Sequence, residues 1–362
     1  MNKISAVICE LNPQHMGHAY LFEKAREDSS CLIAIMSGNF VQRGECAIFD
    51  KYKRAASAVH AGADLVVELP FPWSSSSAAY FAQAGVHLAK QLGCSHLYFG
   101  SETGDRAALQ LAARILNSSD FQARFHGVGQ AGVRREQLLS ELCPQLPAAL
   151  LNGANDILGA EYCRFLDHLI PVPVRRIGCT GASALRASMT AKICQTGENP
   201  EGAVLSDRLA LLLFQYLRCA EKPPEGFAEG SGGVIRRLYN TAQEAVSGAD
   251  LFQRVVTKQY TNARLRRAAL FACTGTTVDM LCEVPAFTRI LAANETGRFF
   301  LASIRRKECG VQIITNHRDR NHLSEKELAQ YLHAGRADSI YTLCMEPVHP
   351  AGWFAAMNPI VL

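Results

Sequence analysis

The 362-residue sequence predicts an α/β fold: a mainly parallel sheet covered by helices, then a mainly helical C-terminal region with a small α/β end. Three observations support this prediction. Short apolar runs alternate with helical segments through the first half. These runs are apolar on both faces, as expected for strands buried inside a parallel sheet. Helical periodicity then dominates the second half.

The predicted strands of the first half are short, and turn residues or polar clusters follow them. They span residues 4–9, 31–36, 64–69, 94–99 and 172–177. The predicted helices span residues 18–27, 50–61, 77–92, 156–166 and 183–194, and Asp50 is the expected N-cap of the second of these. In a parallel sheet, ligands bind outside the carboxyl ends of the strands, so the polar clusters there are candidate site residues.

The second half opens with residues 221–233, which are rich in Pro, Gly and Glu and are predicted to form a loop or linker. Helices are predicted from there to about residue 307. Two short strands, at residues 311–315 and 339–343, are predicted to flank a helix that starts near Ser324. A chain of this length suggests two domains, which we place at residues 1–200 and 201–362.

Composition limits the class of protein. Hydrophobic residues make up 48% and charged residues 19%, which excludes a disordered chain. The net charge of +4 is too small to indicate a nucleic-acid partner by itself. The 13 cysteines contain no CxxC pair, which argues against a disulfide scaffold or a zinc ribbon. Because we find no signal peptide and no long apolar segment, we expect a cytoplasmic protein that does not interact with membranes.

The sharpest local feature is the sequence NPQHMGH at residues 12–18, between a predicted strand and a predicted helix. Gly17 lacks a Cβ atom, so another group can approach the backbone closely. His18 is predicted to open the helix, where free N–H groups and the helix dipole favour anions. His15 lies three residues earlier and can face the same point. The pattern favours a polyphosphate site in which both histidines stabilise charge that develops on phosphate.

Two other interpretations of the histidine pair stay open from spacing alone. His15 and His18 can be ordinary surface residues, or they can be two of three zinc ligands. A zinc site needs a third ligand, and none stands out nearby in the sequence. We therefore predict no metal bound directly by the protein.

Further polar segments are predicted at the same edge of the sheet. Gly100 ends the fourth strand, Asn155 precedes a later helix, and Arg176 follows the strand after it. Ser183 and Arg186 lie at the start of the next helix, where a hydroxyl, helix amides and a guanidinium can bind outer phosphate oxygens. Each signal is weak alone, because a serine at a helix start is usually a cap. Their shared position at strand ends indicates a site.

These residues resemble a known family. NPQHMGH is similar to the HxGH signature of the nucleotidyltransferase superfamily, whose nucleotide-binding domain is Rossmann-like. The run MSGNFVQRGECAIFDKYKRAASAVHAGADLVVELP at residues 36–70 resembles one branch, the bacterial tRNA-Met cytidine acetate ligases. Similar segments cover nearly the whole chain: FGSETGD (99–105), NDILGAEY (155–162), ASALR (182–186), KQYTNARLRR (258–267), VPAFTRIL (284–291) and SIYTL (339–343).

The resemblance implies an activity. Members of this family use ATP to activate acetate as acetyl-adenylate and transfer the acetyl group to N4 of the wobble cytidine of elongator tRNA-Met. Mg²⁺ would accompany ATP, and His15 and His18 would be the catalytic residues, facing the α- and β-phosphates. The implied ATP-binding residues are Ile8, Cys9, Glu10, Leu11, Asn12, Pro13, Gln14, Gly17, Ala19, Tyr20, Leu21, Gly100, Asn155, Arg176, Ile177, Ser183 and Arg186.

The chain departs from the family pattern at several positions. Members usually have Phe and Asn where this chain has Gln14 and Met16, and a second Asn where it has Asp156. The segment at residues 177–182 is shorter and lacks the usual Tyr-His-Asp run. Asp156 would place a negative charge near an anionic ligand, and the shorter segment would change how the acetate or cytidine site is enclosed.

The second domain carries the predicted RNA-binding residues. Residues 255–310 contain nine Lys or Arg and four Asp or Glu, a net charge of +5 (nine minus four). A basic segment with an aromatic residue, Tyr260, suits an RNA backbone and an unstacked base, although an ordinary solvated helix face gives the same pattern. The candidates are Lys258, Arg264, Arg266, Arg267, Arg305, Arg306 and Lys307.

Two alternative functions stay open from the sequence. The first is a nucleotidyltransferase that adenylylates a small phosphorylated metabolite, which shares the HxGH site but does not explain the basic helical half. The second is an RNA-binding protein whose nucleotide site has decayed, which the changes at Gln14, Met16 and Asp156 would allow. Retention of the two histidines, Ser183 and Arg186 argues against the second alternative.

Overall fold

The computed structural model describes residues 3–125, 131–178, 180–196, 198–199, 201–304 and 310–362. The five strands predicted in the first half are all present, each within two residues of its predicted bounds. The strands of the structure are β1 (Ile4–Cys9), β2 (Cys31–Ser37), β3 (Phe40–Val41), β4 (Glu45–Cys46), β5 (Leu65–Leu69), β6 (His96–Ser101), β7 (Ile170–Arg175), β8 (Phe287–Ala293), β9 (Gln312–Ile314) and β10 (Ile360–Val361).

The main sheet has the strand order β10-β8-β5-β2-β1-β6-β7, and β9 pairs with β8. Strands β1, β2, β5, β6 and β7 are all parallel, so the predicted parallel sheet is confirmed. β1 lies between β2 and β6, with Ile4 opposite Cys31 and Ser5 opposite His96. Every residue of β2 and of β5 is buried, as expected for central strands that are covered on both faces.

Helices cover the sheet and build the remainder of the chain. Asp50 is the N-cap of the second helix as predicted, because its carboxylate accepts the N–H groups of Tyr52 and Lys53. The helices are α1 (Met16–Arg26), α2 (Lys51–His60), α3 (Ala78–Gln91), α4 (Arg106–Leu116), α5 (Ser119–Arg124), α6 (Ala131–Leu142), α7 (Ala148–Asn152), α8 (Ala154–Cys163), α9 (Ala182–Thr196), α10 (Ser206–Cys219), α11 (Val234–Glu244), α12 (Gly248–Arg254), α13 (Asn262–Thr274), α14 (Val278–Cys282), α15 (Glu295–Ile304), α16 (Glu325–Cys344) and α17 (Trp353–Ala356).

The prediction of continuous helices up to residue 307 is wrong at β8. This strand is buried along its whole length and pairs antiparallel with β5, with Leu65 opposite Ala293. It brings Arg289 into the core, where the guanidinium donates to the hydroxyl of Tyr331 at 2.9 Å and lies 4.0 Å from Glu68. The small α/β end is therefore part of the main sheet, because β9 and β10 both pair with β8.

The predicted strand at residues 339–343 is also wrong, because these residues lie within the 20-residue helix α16. The predicted start of this helix near Ser324 is confirmed. Ser324 and Glu327 form a capping box in which the Ser324 N–H donates to the Glu327 carboxylate at 2.7 Å. Ala334, Ala337 and Tyr341 are buried at helical spacing, so tertiary packing overrides the strand preference of the SIYTL run.

A buried ion cluster joins the two halves of the chain. The ammonium group of Lys51 lies 2.8 Å from Glu68 and 2.7 Å from Asp338, which is in α16. Asn39 donates to the same aspartate at 2.8 Å. The division into residues 1–200 and 201–362 stays a prediction, but the sheet and this cluster both extend across it.

Candidate active site

A cavity of about 280 Å³ lies at the carboxyl ends of β1, β6 and β7. This is the edge at which the sequence predicted a ligand. Strand residues form its floor, and α1 and α8 provide two of its sides. Its lining is Ile8, Cys9, Glu10, His15, Gly17, His18, Tyr20, Leu21, Gln42, Arg43, Phe81, Phe99, Gly100, Ala154, Asn155, Leu158, Tyr162, Val174, Arg175, Arg176 and Ile177.

His15 and His18 stack on each other at the start of α1, with ring centroids 3.8 Å apart. Helix α1 begins at Met16, so His15 is the N-cap and His18 is the third helical residue, which corrects the prediction that His18 opens the helix. The N–H of Gly17 donates to Nδ1 of His15 at 3.0 Å. The N–H of His15 donates to Nδ1 of His18 at 3.3 Å. The two imidazoles thus cap the helix through their Nδ1 atoms.

The protonation state of the pair follows from these contacts. Burial lowers the pKa of His15, and the nearby positive charge of Arg176 lowers it further. Burial is the main cause that lowers the pKa of His18, and electrostatic interactions with His15 and Arg176 lower it further, to about 3. Both rings are therefore neutral near pH 7. Because each Nδ1 accepts a backbone N–H, each ring carries its proton on Nε2 and can act as a hydrogen-bond donor.

Asn155 and Arg176 are held on the opposite side of the cavity by Glu102. The Asn155 amide donates to Glu102 at 2.6 Å, and the Arg176 guanidinium lies 3.4 Å from the same oxygen. Burial alone would raise the pKa of Glu102, but hydrogen bonds from the Asn155 side chain and from the backbone of Asp156 and Asn155 bring it below its usual value. The Asn155 amide carbonyl comes close to Gly100, whose missing side chain leaves this part of the cavity open.

Asp156 does not face the cavity. Its carboxylate accepts hydrogen bonds from the hydroxyl of Ser101, the N–H of Glu102 at 3.1 Å and the N–H of Thr103 at 3.0 Å. The side chain is fully buried against this loop, which follows β6. The expected conflict between Asp156 and an anionic ligand is therefore resolved by the direction of the carboxylate.

Some of the predicted ATP-binding residues lie outside the cavity as described. Leu11, Pro13 and Gln14 line a separate recess with residues of α2 and α9. The Arg186 guanidinium donates to the carbonyl of Asn12 and, at 3.1 Å, to the hydroxyl of Ser183. Seven predicted residues are not in the lining: Leu11, Asn12, Pro13, Gln14, Ala19, Ser183 and Arg186.

Arg43, Arg175 and Tyr162 also line the cavity. Arg43 and Arg175 belong to polar segments that the sequence predicts at this edge of the sheet, but no ligand role was predicted for these two residues or for Tyr162. Arg43 lies in the β3–β4 hairpin, whose Gln42 N–H donates to the carboxylate of Glu10 at 2.7 Å. The signal for Arg43 is its place in the loop beyond the second predicted strand, within the MSGNFVQRGE run. Nothing in the sequence pattern separated Tyr162 from an ordinary core aromatic of α8.

The predicted RNA-binding arginines of α13 are largely occupied by intramolecular ion pairs. Arg267 and Arg264 lie 3.0 Å and 3.6 Å from Glu229, and Arg266 lies 3.6 Å from Glu45. Their side chains are 11%, 21% and 17% exposed, respectively. A contact with tRNA would require these pairs to open.

The other predicted RNA-binding residues divide into two groups. Lys258 is exposed, whereas Tyr260 is buried and donates its hydroxyl to the carbonyl of Gly232, so it offers no stacking surface for a base. Arg305, Arg306 and Lys307 lie outside the described residues.

The zinc interpretation of the histidine pair gains no support. Across the part of the chain that the structure describes, no three His, Cys, Asp or Glu side chains come together as ligands for a metal ion. Nor does any described helix have the length and apolar character that a membrane span requires.

Comparison with known proteins identifies the family. The family model of the HIGH Nucleotidyl Transferases matches residues 1–194 and 180–351. The tRNA(Met) cytidine acetate ligase of Pediococcus pentosaceus is 32% identical over 392 residues, covering 98% of this chain and 97% of that protein. The enzyme of the same name from Syntrophotalea carbinolica is 30% identical over 353 residues, covering 86% and 84%.

A solved structure extends the match to the whole fold. The crystal structure of Thermotoga maritima TmcAL bound with alpha-thio ATP superimposes with a TM-score of 0.90 at 27% identity, covering 99% of each chain. The apo form of the same protein gives the same TM-score. The chain belongs to the tRNA(Met) cytidine acetate ligase family of HIGH nucleotidyl transferases.

Proposed function

We propose that the chain is an ATP-dependent tRNA(Met) cytidine acetate ligase. It activates acetate as acetyl-adenylate and acetylates N4 of the wobble cytidine of elongator tRNA-Met, in the cytoplasm. One observation carries the proposal: the two neutral histidines at the start of α1 present Nε2–H donors in the same cavity as Arg176. Relatives with this name match almost the full length of the chain.

The described residues fit ATP. Arg43, Arg175 and Arg176 supply positive charge, and the positive end of the α1 dipole lies at the same cavity, where it favours phosphate oxygens. A purine base needs an apolar surface, and the cavity offers one. We propose that the base lies against Ile8, Phe81, Phe99 and Leu158. Mg²⁺ bound together with ATP would neutralise part of the phosphate charge.

The protein contributes position and charge to the first step. An acetate oxygen forms a bond to the α-phosphorus, and pyrophosphate leaves with the electron pair of the broken P–O bond. His15 and His18 donate from Nε2 to the phosphate oxygens, where negative charge increases in the transition state. Neutral donors fit this role because burial keeps the pKa of both rings below its usual value, so both carry Nε2–H and no charge near pH 7.

We propose that Ser183 and Arg186 occupy a different position when ATP is bound. Helix α9 has no buried residue, and Arg186 now donates to the Asn12 carbonyl. We place both side chains on the β- and γ-phosphates after a movement of α9 toward the cavity. For tRNA, we place the backbone along Lys258 and the basic segment 305–307.

The test is an incubation of the purified protein with ATP, Mg²⁺, carbon-labelled acetate and unmodified elongator tRNA-Met, followed by mass spectrometry of the nucleosides. Labelled N4-acetylcytidine at the wobble position is the expected product. A matched tRNA with uridine at that position should give none. Pyrophosphate release that depends on a phosphorylated metabolite and not on acetate would instead support a metabolite adenylyltransferase.

A further inference from the structure

We propose that Glu10 is the proton acceptor for the second step, the attack of the cytidine N4 amine on the acetyl group. This inference rests on the proposed function and adds a residue role to it. Glu10 follows β1 directly, lines the cavity with the histidine pair, and is the only carboxylate among the described residues of the lining.

The histidines are unsuited to accept this proton. Nδ1 of His15 already accepts the Gly17 N–H, and Nδ1 of His18 accepts the His15 N–H. In the neutral rings Nε2 already carries a proton, so neither imidazole has an acceptor nitrogen to offer without breaking the cap of α1. The other nearby acid, Cys9, keeps its proton, because burial raises the pKa of its thiol to about 12.

Glu10 is fixed at two points. Its Oε1 atom accepts the N–H of Gln42 at 2.7 Å, which anchors the carboxylate to the β3–β4 hairpin. Its backbone carbonyl accepts from the buried guanidinium of Arg54 at 2.6 Å. Arg54 also donates to the carbonyls of Phe49 and Ser37, so α2 holds the ends of β1 and β2 in one arrangement. A single oxygen of the carboxylate, Oε2, is left by these contacts for a substrate.

The charges around Glu10 suit a base that works near an anionic ligand. Burial raises the pKa of its carboxyl group, and the hydrogen bond from Gln42 and the positive charges of Arg43, Arg54 and Arg186 limit that increase. A carboxylate whose pKa is raised toward the working pH is a better general base than an exposed one. The other titratable groups that interact with Glu10 are the thiol of Cys9 and the hydroxyl of Tyr162.

The N4 lone pair forms the C–N bond to the acetyl carbonyl carbon, and the bond between that carbon and the phosphate oxygen of the adenylate breaks. AMP leaves with the electron pair of the broken bond. One N4 proton passes to Oε2 of Glu10, which returns it to solvent after product release.

The experiment compares wild type with Glu10→Gln, since a glutamine Oε1 can still accept the Gln42 N–H. The control is Glu23→Gln, which changes an exposed glutamate on α1. Two half-reactions are measured: acetate-dependent exchange of pyrophosphate into ATP, and single-turnover transfer from supplied acetyl-adenylate to tRNA across a pH series. Exchange in Glu10→Gln also reports that the variant is folded and binds ATP.

We expect transfer in Glu10→Gln to fall by about 100-fold or more, the contribution typical of a general base, and to fall at least about tenfold more than pyrophosphate exchange does in the same variant. The rise of the transfer rate with pH should be absent in this variant and present in Glu23→Gln. Transfer at the wild-type rate, or an equal loss in both half-reactions, would overturn the assignment. If wild type itself gives no acetylated cytidine, the proposed function fails and the role of Glu10 with it.

Discussion

The guanidinium of Arg267 in α13 donates to the carbonyl oxygen of Gln42, in the β3–β4 hairpin, at 3.2 Å. The N–H of the same Gln42 donates to the carboxylate of Glu10. The same guanidinium donates to Glu229 at 3.0 Å. Gly44 brings the hairpin against the α13 backbone, since a Cβ atom there would lie 2.6 Å from the Arg267 nitrogen. A helix of the C-terminal half therefore supports one wall of the cavity.

Replacement of Arg267 tests this support. We expect Arg267→Ala to lower the free energy of unfolding by about 1–3 kcal/mol, because it removes the nearer of the two arginine partners of the partly buried Glu229. The acetylation rate should fall while the salt dependence of tRNA binding stays as in wild type. Urea unfolding and binding titrations at several salt concentrations measure both, and the exposed Arg236 mutated to Ala is the control. A reduced salt slope with unchanged stability would show instead that Arg267 contacts RNA phosphates.

The roles of the two ring nitrogen atoms of His15 can be distinguished by mutation. His15→Asn keeps an N-cap acceptor for α1 but removes the Nε2–H donor, whereas His15→Ala removes both. We expect the alanine variant to be less stable than wild type by about 1 kcal/mol and the asparagine variant to be near wild type. Pyrophosphate exchange should fall about 100- to 1000-fold in both. Full exchange in His15→Asn would exclude a role for Nε2.

We predict that Asp156 contributes to the stability of the fold and has little effect on the affinity for ATP. Asp156→Asn replaces one carboxylate oxygen by an amide NH₂ group, which cannot accept the N–H of a loop residue. We expect a loss of about 1–3 kcal/mol in the free energy of unfolding. Calorimetry should show ATP affinity close to that of wild type. A large change in ATP affinity without a loss of stability would mean that this side chain reaches the ligand.

His18 gives a prediction for stability against pH. Its pKa is about 3 in the folded protein, below the 6.5 of an unfolded histidine, so unfolding takes up a proton between these values. The contribution of the neutral ring to stability is complete above pH 6.5 and is lost as the pH falls toward 3. Wild type should therefore lose stability faster than His18→Gln on acidification, as urea unfolding between about pH 4 and pH 7 can show. Parallel curves for the two proteins would contradict the burial of this ring.

Much of the first half was predictable because local signals and tertiary packing agree there. The strand from Ile4, the Asp50 cap and the polar clusters at strand ends follow from apolar runs, capping chemistry and the geometry of parallel sheets. The protonation states of the histidines were not predictable, because they depend on burial and on backbone N–H groups that only the folded chain brings together.

The second half was harder because long-range contacts decide its structure. In β8, Arg289 interrupts an apolar run, and it is tolerated because Glu68, Tyr331 and the carbonyl of Phe354 provide partners for its guanidinium. Within α16, the β-branched run near Ile340 continues as helix because Tyr341 packs in the core and donates to the Ala47 carbonyl at 2.9 Å. The arginines of α13 were correctly identified as clustered, but their carboxylate partners come from distant segments.

The position of β8 also bears on how the chain is made. While the ribosome synthesises the residues between Leu69 and Phe287, which takes ~20 s at ~10 residues per second, β5 has no neighbour on one side. An exposed strand edge of this kind is a template for pairing with other nascent chains. We therefore expect the N-terminal half to depend on chaperones during translation, until the arrival of β8 closes that edge.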